Sequence, residues 1–319
     1  MLRIITLVAY LAATTQLPAA ERLALEIPSS VDGSKQKCYL NLPLGFDPKG
    51  KQRPLLVSLH SWSGDVEQRN VPLESGADER GWFCLQPNFR GRNDHPEALG
   101  SAIAQQDILD AVEYVAKNYP VDRRRVYLTG SSGGGHMTML MAGRHPQVWA
   151  AASAWVGISN VRAWHERHAS DNYGAMMRAS CGGAPGTSAA VDNEYRQRSP
   201  LAHIAAAKDL PLDLAAGVHD GHQGSVPIRH TLDAFNLVAK ARGDAIVSES
   251  EIEQLSEYQG RLTQPQPGDT VIDPSFDRVI YLRRHAGRCR VTIFEGGHEG
   301  LALAALEFLG RHVKEEGGK

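Results

Sequence analysis

The 319-residue chain reads as an α/β protein with a mostly parallel, doubly wound sheet and helices on both faces. Three observations predict this. Apolar strand-like runs alternate with helix-period runs from about residue 36 to residue 314. Inner runs are continuously apolar, as strands covered on both faces must be. One run, Val126–Thr129, passes straight into Gly130-Ser131-Ser132-Gly133-Gly134 and then into an apolar, helix-compatible stretch. That is G-x-S-x-G in a strand, sharp turn and helix, the context that gives the pattern meaning.

The first twenty residues stand apart. Arg3 precedes the apolar run Ile4–Ala13, Ala19-Ala20 supplies small residues, and charge resumes at Glu21. These are the n-region, h-region and cleavage zone of a secretory signal peptide. The run is too short to span a bilayer, which takes about 20 apolar residues. Residues 1–20 are therefore expected to direct export, and no membrane span is expected in the mature chain. Cys38–Leu42 alternates as a strand ended by Pro43 and Gly45. Pro54–Leu59 is a buried strand, and Trp82–Leu85 is a short one stopped by Pro87. Residues 101–118 put Ile108, Ala111, Val112 and Val115 on one helical face, and Pro120 ends that helix. The helix after Gly134 runs to about Arg144. Strands follow within Val148–Val156, Leu210–Val218 and Arg290–Phe294. Residues 301–314 close the chain as a helix with Leu301, Ala305, Phe308 and Leu309 inward.

No internal repeat or Pro/Ser-rich linker divides the chain, so residues 21–319 read as a single domain. Two segments interrupt the alternation, 159–205 and 242–288. Both follow the C-terminal ends of core strands, the edge where open α/β sheets hold ligands. The first is expected as a lid and the second as a rim around a pocket.

Composition narrows the partners. The chain is 42% hydrophobic and 22% charged with a formal net charge of −2, so no basic field points to nucleic acid. Arg123-Arg124-Arg125 reads as a solvated turn. Cys38, Cys84, Cys181 and Cys289 permit disulfides in an exported chain, with the pairing open, or serve as small buried hydrophobes. Their spacing matches no zinc motif. His165-Glu166-Arg167-His168 is one residue short of His-Glu-x-x-His. Neither a metal nor another cofactor is expected.

The chemistry centres on Ser132. A glycine-flanked turn above a helix N-terminus exposes its hydroxyl where developing negative charge is favoured. A serine nucleophile needs a base and an orienting carboxylate. In this arrangement the chain order is Ser, acid, His. His298 lies in Phe294-Glu295-Gly296-Gly297-His298-Glu299-Gly300, between the last strand and the last helix. Asp220 follows the apolar strand ending Ala215-Ala216-Gly217-Val218. Asp213 precedes the apolar part of that strand and is the weaker candidate. The oxyanion donors are expected to be the Gly133 backbone N–H and one from His60-Ser61-Trp62, either Trp62 or Ser61. Trp62 and His222 are read as substrate-binding, Trp155 as core, and His136 as packing beneath the serine.

With these residues in place, the chain resembles the α/β-hydrolase superfamily over about residues 36–314. Pro87-Asn88-Phe89-Arg90-Gly91, Val121-Asp122 with Arg125-Val126, Arg198-Ser199-Pro200 and Asp220 with Val226-Pro227 resemble the catalytic domain of prolyl-oligopeptidase-like (S9) peptidases. Leu42-Pro43-x-Gly45-Phe46 leading to Leu55–His60 is similar to the secreted polyhydroxybutyrate-depolymerase and feruloyl-esterase group. The resemblance implies a Ser132–Asp220–His298 triad and an acyl-enzyme. The usual His-Gly of the oxyanion loop is His60-Ser61 here. S9 peptidases carry an N-terminal propeller, for which the stretch ahead of the first hydrolase strand is too short. A secreted serine esterase acting on a small-molecule or polymer-derived ester is therefore expected, with a small-peptide hydrolase as the alternative. A fold that only binds ligand would lack a triad member, and none is missing.

Overall fold

The computed structural model describes residues 21–315. The expected signal peptide lies outside the described residues. In chain order the elements are β1 (Arg22–Pro28), β2 (Lys35–Asn41), β3 (Arg53–Leu59), α1 (Val71–Glu79), β4 (Phe83–Pro87), α2 (Ala102–Asn118), β5 (Val121–Ser131), α3 (Gly133–Arg144) and β6 (Ala151–Trp155). They continue as α4 (Val161–His168), α5 (Asn172–Cys181), α6 (Ala189–Gln197), two 3-10 turns at Pro200–Ala202 and Ile204–Ala207, β7 (Leu212–Gly217), α7 (Arg229–Arg242), α8 (Glu249–Ser256), β8 (Ile280–Ala286), β9 (Cys289–Phe294) and α9 (Ala302–Gly310).

One sheet runs β1-β2-β4-β3-β5-β6-β7-β9-β8. Its central strands, β4 to β9, pair in parallel. Antiparallel strands close both edges, β1 with β2 on one side and β8 on the other. This is the mostly parallel sheet that the apolar runs require, and the fold is that of an α/β hydrolase. Successive residues of β5 face opposite sides. Thr129 and Ser131 look toward α1 and α9, near Leu73, Ala302 and Ala305. Gly130 looks the other way and meets Gly134 of α3.

Local chemistry explains where elements start and stop. The Ser101 hydroxyl caps α2 by accepting from Ala104 N at 3.2 Å, and the helix ends before Pro120. Gly243, at φ 78°, turns the chain out of α7. Ser248 and Glu251 form a reciprocal capping box on α8. The core has two parts. The larger lies between sheet and helices. The smaller joins Trp62, Trp164, Met176, Met177, Tyr195 and Val226 beneath α4–α6. Among the described residues, no helix is long and apolar enough to cross a membrane.

Several expectations need correction. The sheet begins at Arg22 rather than near residue 36, because Leu23, Leu25 and Ile27 turn inward along β1 while Ala24 and Glu26 face water. Residues 242–288, expected as rim alone, contain α8 and the edge strand β8. That strand tolerates adjacent arginines because Arg283 pairs with Asp273 at 2.6 Å and Arg284 with Asp269 at 3.0 Å and Glu251 at 2.6 Å. Segment 159–205 is not a long loop but holds three short helices, capped by Asn160, Asp171 and Ser188. The three arginines at 123–125 belong to β5, where Arg123 pairs with Glu113 and Arg125 with Asp122.

Candidate active site

The end of β5 delivers Ser132 as the N-cap of α3, at φ 59° and ψ −119°. A serine at positive φ is strained and needs its surroundings to hold it. Two backbone bonds do so, from Ser132 N to Trp155 O at 2.9 Å and from His136 N to Ser132 O at 2.8 Å. The glycines of the motif are required by space. A Cβ at Gly130 would stand 2.6 Å from the Gly134 backbone, and one at Gly134 would stand 2.4 Å from Leu59 O.

The three residues expected to act together meet here. Ser132 Oγ lies 2.8 Å from His298 Nε2, and His298 Nδ1 lies 2.7 Å from Asp220 Oδ2. The tautomer carrying its proton on Nδ1 donates to the carboxylate and leaves Nε2 to accept from the serine. Asp220 is 2% exposed. Its Oδ1 accepts from Gly221 N at 2.9 Å and Val226 N at 3.1 Å, which compensates the charge for lost water. The loop between those donors crosses the pair at Gly224, where a Cβ would meet Asp220 Oδ1 at 2.2 Å. From above, α4 grips the same loop. Trp164 Nε1 and His168 Nε2 each reach Ser225 O at 2.9 Å, and Arg167 Nη2 donates to Gly221 O.

The loop after β3 lies against the serine's helix. A Cβ on Gly133 would meet Trp62 N at 2.2 Å. Gly133 N opens α3 and so has no intrahelical partner. Trp62 N likewise donates to no acceptor among the described residues. Ser61 N differs, being bonded to Gln68 Oε1 at 2.8 Å, which also accepts from the Ser61 hydroxyl at 2.8 Å. Ser61 is thus a poor donor to anything else. Its φ is not positive, so nothing in the backbone demands glycine there. His60 anchors the loop. Its Nε2 contacts Asn88 O at 2.8 Å, its ring stacks on Phe89 at 3.9 Å, and burial holds its pKa below the ordinary value.

A cavity of about 390 Å³ opens beside Ser132 and His298. Its walls are largely polar and include Ser61, Asp65, Gln68, Tyr173 and Glu299. The Trp62 indole, expected to touch substrate, is not among them. It is 2% exposed and packs edge-on against Trp164 at 4.5 Å, because an apolar ring gains more by joining the small core than by facing this polar space. His222 also lies elsewhere, with its ring on Tyr258 and Nε2 bonded to Ser256 O at 2.9 Å. Asp213 is used inside the sheet, bonded by Arg290 Nε at 2.6 Å and Ser153 Oγ at 2.8 Å. His136 is fully packed, bonded to Arg198 O at 2.8 Å, with burial pushing its pKa down to about 4. Trp155 is core. All four cysteines are free and buried. Among the described residues no group of three His, Cys, Asp or Glu side chains is placed to hold a metal ion.

The sequence matches the prolyl oligopeptidase family over residues 74–248, more than half of the chain. The chain belongs to the prolyl oligopeptidase family. It is similar to feruloyl esterase B of Talaromyces stipitatus, at 26% identity over 179 residues that cover 53% of this chain and 43% of that protein. It is also similar to an acetylxylan esterase of Coprinopsis cinerea, at 32% identity over 121 residues that cover 34% of this chain and 32% of that protein. The matches thus span less than half the length of either relative. Among solved structures, the acylaminoacyl peptidase of Pyrococcus horikoshii shares the fold at a TM-score of 0.64 and 20% identity, over 95% of this chain and 43% of that one. The chain thus joins this family with relatives named both as esterases and as peptidases.

Proposed function

We propose that the protein hydrolyses carboxylic esters through an acyl-enzyme on Ser132. The observation that carries this reading is the chain of hydrogen bonds from Ser132 through His298 to Asp220, at 2.8 and 2.7 Å. His298 Nε2 takes the serine proton as Oγ attacks the ester carbonyl. The N–H groups of Gly133 and Trp62, neither bonded to an acceptor among the described residues, are the oxyanion donors in this reading. The imidazolium then protonates the departing alcohol, and on the return it draws a proton from water, which attacks the acyl-enzyme. Asp220 accepts from His298 Nδ1–H, holds the ring orientation and supports its transient charge. The polar cavity suits a hydroxyl-bearing substrate, in keeping with relatives named for feruloyl and acetylxylan esters. Residues 21–319 act in this reading as one exported domain after loss of residues 1–20, with 159–205 as a cap over the site.

The test is labelling by a fluorophosphonate probe alongside p-nitrophenyl acetate turnover, for the parent and for Ser132→Ala. Both signals are expected in the parent and neither in the variant. A folded parent that shows neither would sink the proposal. The family's peptidase members favour a second reading, a small-peptide hydrolase using the same residues. Amide cleavage as fast as ester cleavage across a matched panel would put that reading first.

A further inference from the structure

Asp220 and His298 sit on separate loops, 78 residues apart, joined directly by one hydrogen bond. A second connection lies beside it. Glu295, the residue after β9, accepts from His219 Nε2 at 2.7 Å through Oε1. Its Oε2 accepts from the Tyr281 hydroxyl at 2.6 Å and from Arg261 Nη2 at 3.2 Å. Glu295 is three residues before His298, and His219 is the neighbour of Asp220. Thus the loop bearing the acid and the loop bearing the base are tied to each other one step back from the reacting groups. The backbone repeats the tie, with His219 N donating to Gly296 O at 3.0 Å. Close approach makes this geometry possible, since a Cβ on Gly217 would meet the Gly296 and Gly297 carbonyls within 2.4 Å.

The carboxylate is the hub of this cluster. The Tyr281 hydroxyl first, and then His219, hold the Glu295 carboxyl below its ordinary range, so it is ionised when these bonds form. Arg261 is itself steadied by lying over the Tyr281 ring at 3.5 Å. The other ring nitrogen of His219 is buried and has no partner among the described residues, so among their side chains Glu295 alone orients that imidazole by a hydrogen bond. On the far side of His298, Arg278 holds Glu299 at 2.5 Å. His298 thus stands between two anchored carboxylates, of which, among the described residues, the first is the one that reaches the acid's loop.

We propose that Glu295 and His219 are positioning residues that set the separation of Asp220 and His298. This rests on the reading of Ser132, Asp220 and His298 as the catalytic groups. Neither residue touches the serine. They act by keeping the imidazole in register with the carboxylate, a preorganisation whose loss reduces turnover without weakening substrate binding.

The test uses the full chain carrying Glu295→Ala, Glu295→Gln or His219→Gln. Glu295→Ala is expected to lower kcat for p-nitrophenyl acetate by about tenfold to 10²-fold, with KM changed by less than about twofold. Glu295→Gln keeps one acceptor oxygen and should recover part of the loss, and His219→Gln should fall between. The spectroscopic readout is the downfield proton resonance of His298 Nδ1–H, assigned by its disappearance in His298→Ala. It should shift or broaden in Glu295→Ala and return toward the parent in Glu295→Gln. An unchanged resonance and unchanged kcat in a folded Glu295→Ala would overturn the proposal. So would a loss carried by KM, or one explained by a melting temperature below that of the assay while the resonance persists. If the parent has no esterase activity yet the resonance responds as described, the positioning role stands and the esterase reading falls.

Discussion

Substituting Gly224 by alanine tests how tightly the acid and base are held. The Cβ of the new residue would lie 2.2 Å from Asp220 Oδ1 and 2.6 Å from His298 Cβ. The backbone at 224 is not left-handed, so alanine is refused for space alone. Carbon contacts become comfortable at about 3.5 Å, which leaves about 1 Å of displacement to be absorbed. Asp220 cannot absorb it by rotating, because Oδ1 is held by Gly221 N and Val226 N and Oδ2 by His298. Either the loop lifts and breaks the Val226 bond or the imidazole moves off the serine. A misplacement of about 1 Å between reacting groups costs on the order of 10²-fold in rate, or about 2.7 kcal/mol of barrier. Losing a hydrogen bond to the charged carboxylate removes about 1.5–3 kcal/mol of stability. The assay is kcat/KM on p-nitrophenyl acetate with a parallel thermal melt. Gly297→Ala is the control, since a Cβ there meets nothing within 4 Å although it adjoins His298. Activity of Gly224→Ala within about threefold of the parent, or an equal loss in Gly297→Ala, would refute the reasoning.

Gln68→Ala removes the acceptor of both Ser61 groups and loosens the loop that presents Trp62 N; kcat should fall about tenfold with little change in KM, as for one weakened oxyanion contact. Burial pushes the thiols of Cys38, Cys84 and Cys181 up to about 12 and that of Cys289 higher still. A thiol reagent should therefore find no reactive cysteine in the native protein and four after denaturation, and a reductant should leave the melting temperature unchanged. Two buried histidines give a pH dependence. Burial holds His136 down to about 4 and His230 down to about 3, against an unfolded value near 6.5. Below about pH 6.5 the unfolded chain binds protons that the folded one refuses, so stability present above that pH is lost as pH falls toward the folded values, by up to about 1.4 kcal/mol per pH unit for each histidine. Melting curves between pH 4 and 7 check this, with His136→Asn giving a shallower slope; a melting temperature that is flat or rises on acidification would contradict it.

Much of this site is legible in the linear chain because its signals are local. Ser132 is marked by its glycines and by the apolar runs on either side, His298 and Asp220 by following apolar strands in the right order. That the loop after β3 is the place to look for a second backbone donor, Trp62 or Ser61, follows from its position in the chain. What the chain order hides is long-range. Gln68 gives no sign that it will bind Ser61, and Gly224 looks like an ordinary loop glycine until Asp220 and His298 are brought under it. The aromatic character of Trp62 suggests a binding surface, but Trp164, 102 positions later, turns it into core. Strand β8 is obscured by its arginines, whose partners Asp273, Asp269 and Glu251 come from the segment before it. Strand β1 directly adjoins the expected leader, so its alternation of Leu23, Leu25 and Ile27 is easily passed over. The helices of 159–205 are only 8 to 10 residues long, and they owe their starts to single capping side chains.

The hold of α4 on the loop above Asp220 changes what an opening of the cap would entail. Trp164, Arg167 and His168 are fastened to the carbonyls of Gly221 and Ser225, and those residues flank Gly224 on the strap that encloses the acid. A lid hinged independently of the chemistry would leave the serine's partners undisturbed as substrate came and went. Here the two are fastened together. On the proposed reading of 159–205 as a cap and of Ser132, His298 and Asp220 as the catalytic groups, lifting the one pulls on the other, and a ligand that props the cap open is expected to lower turnover without touching Ser132.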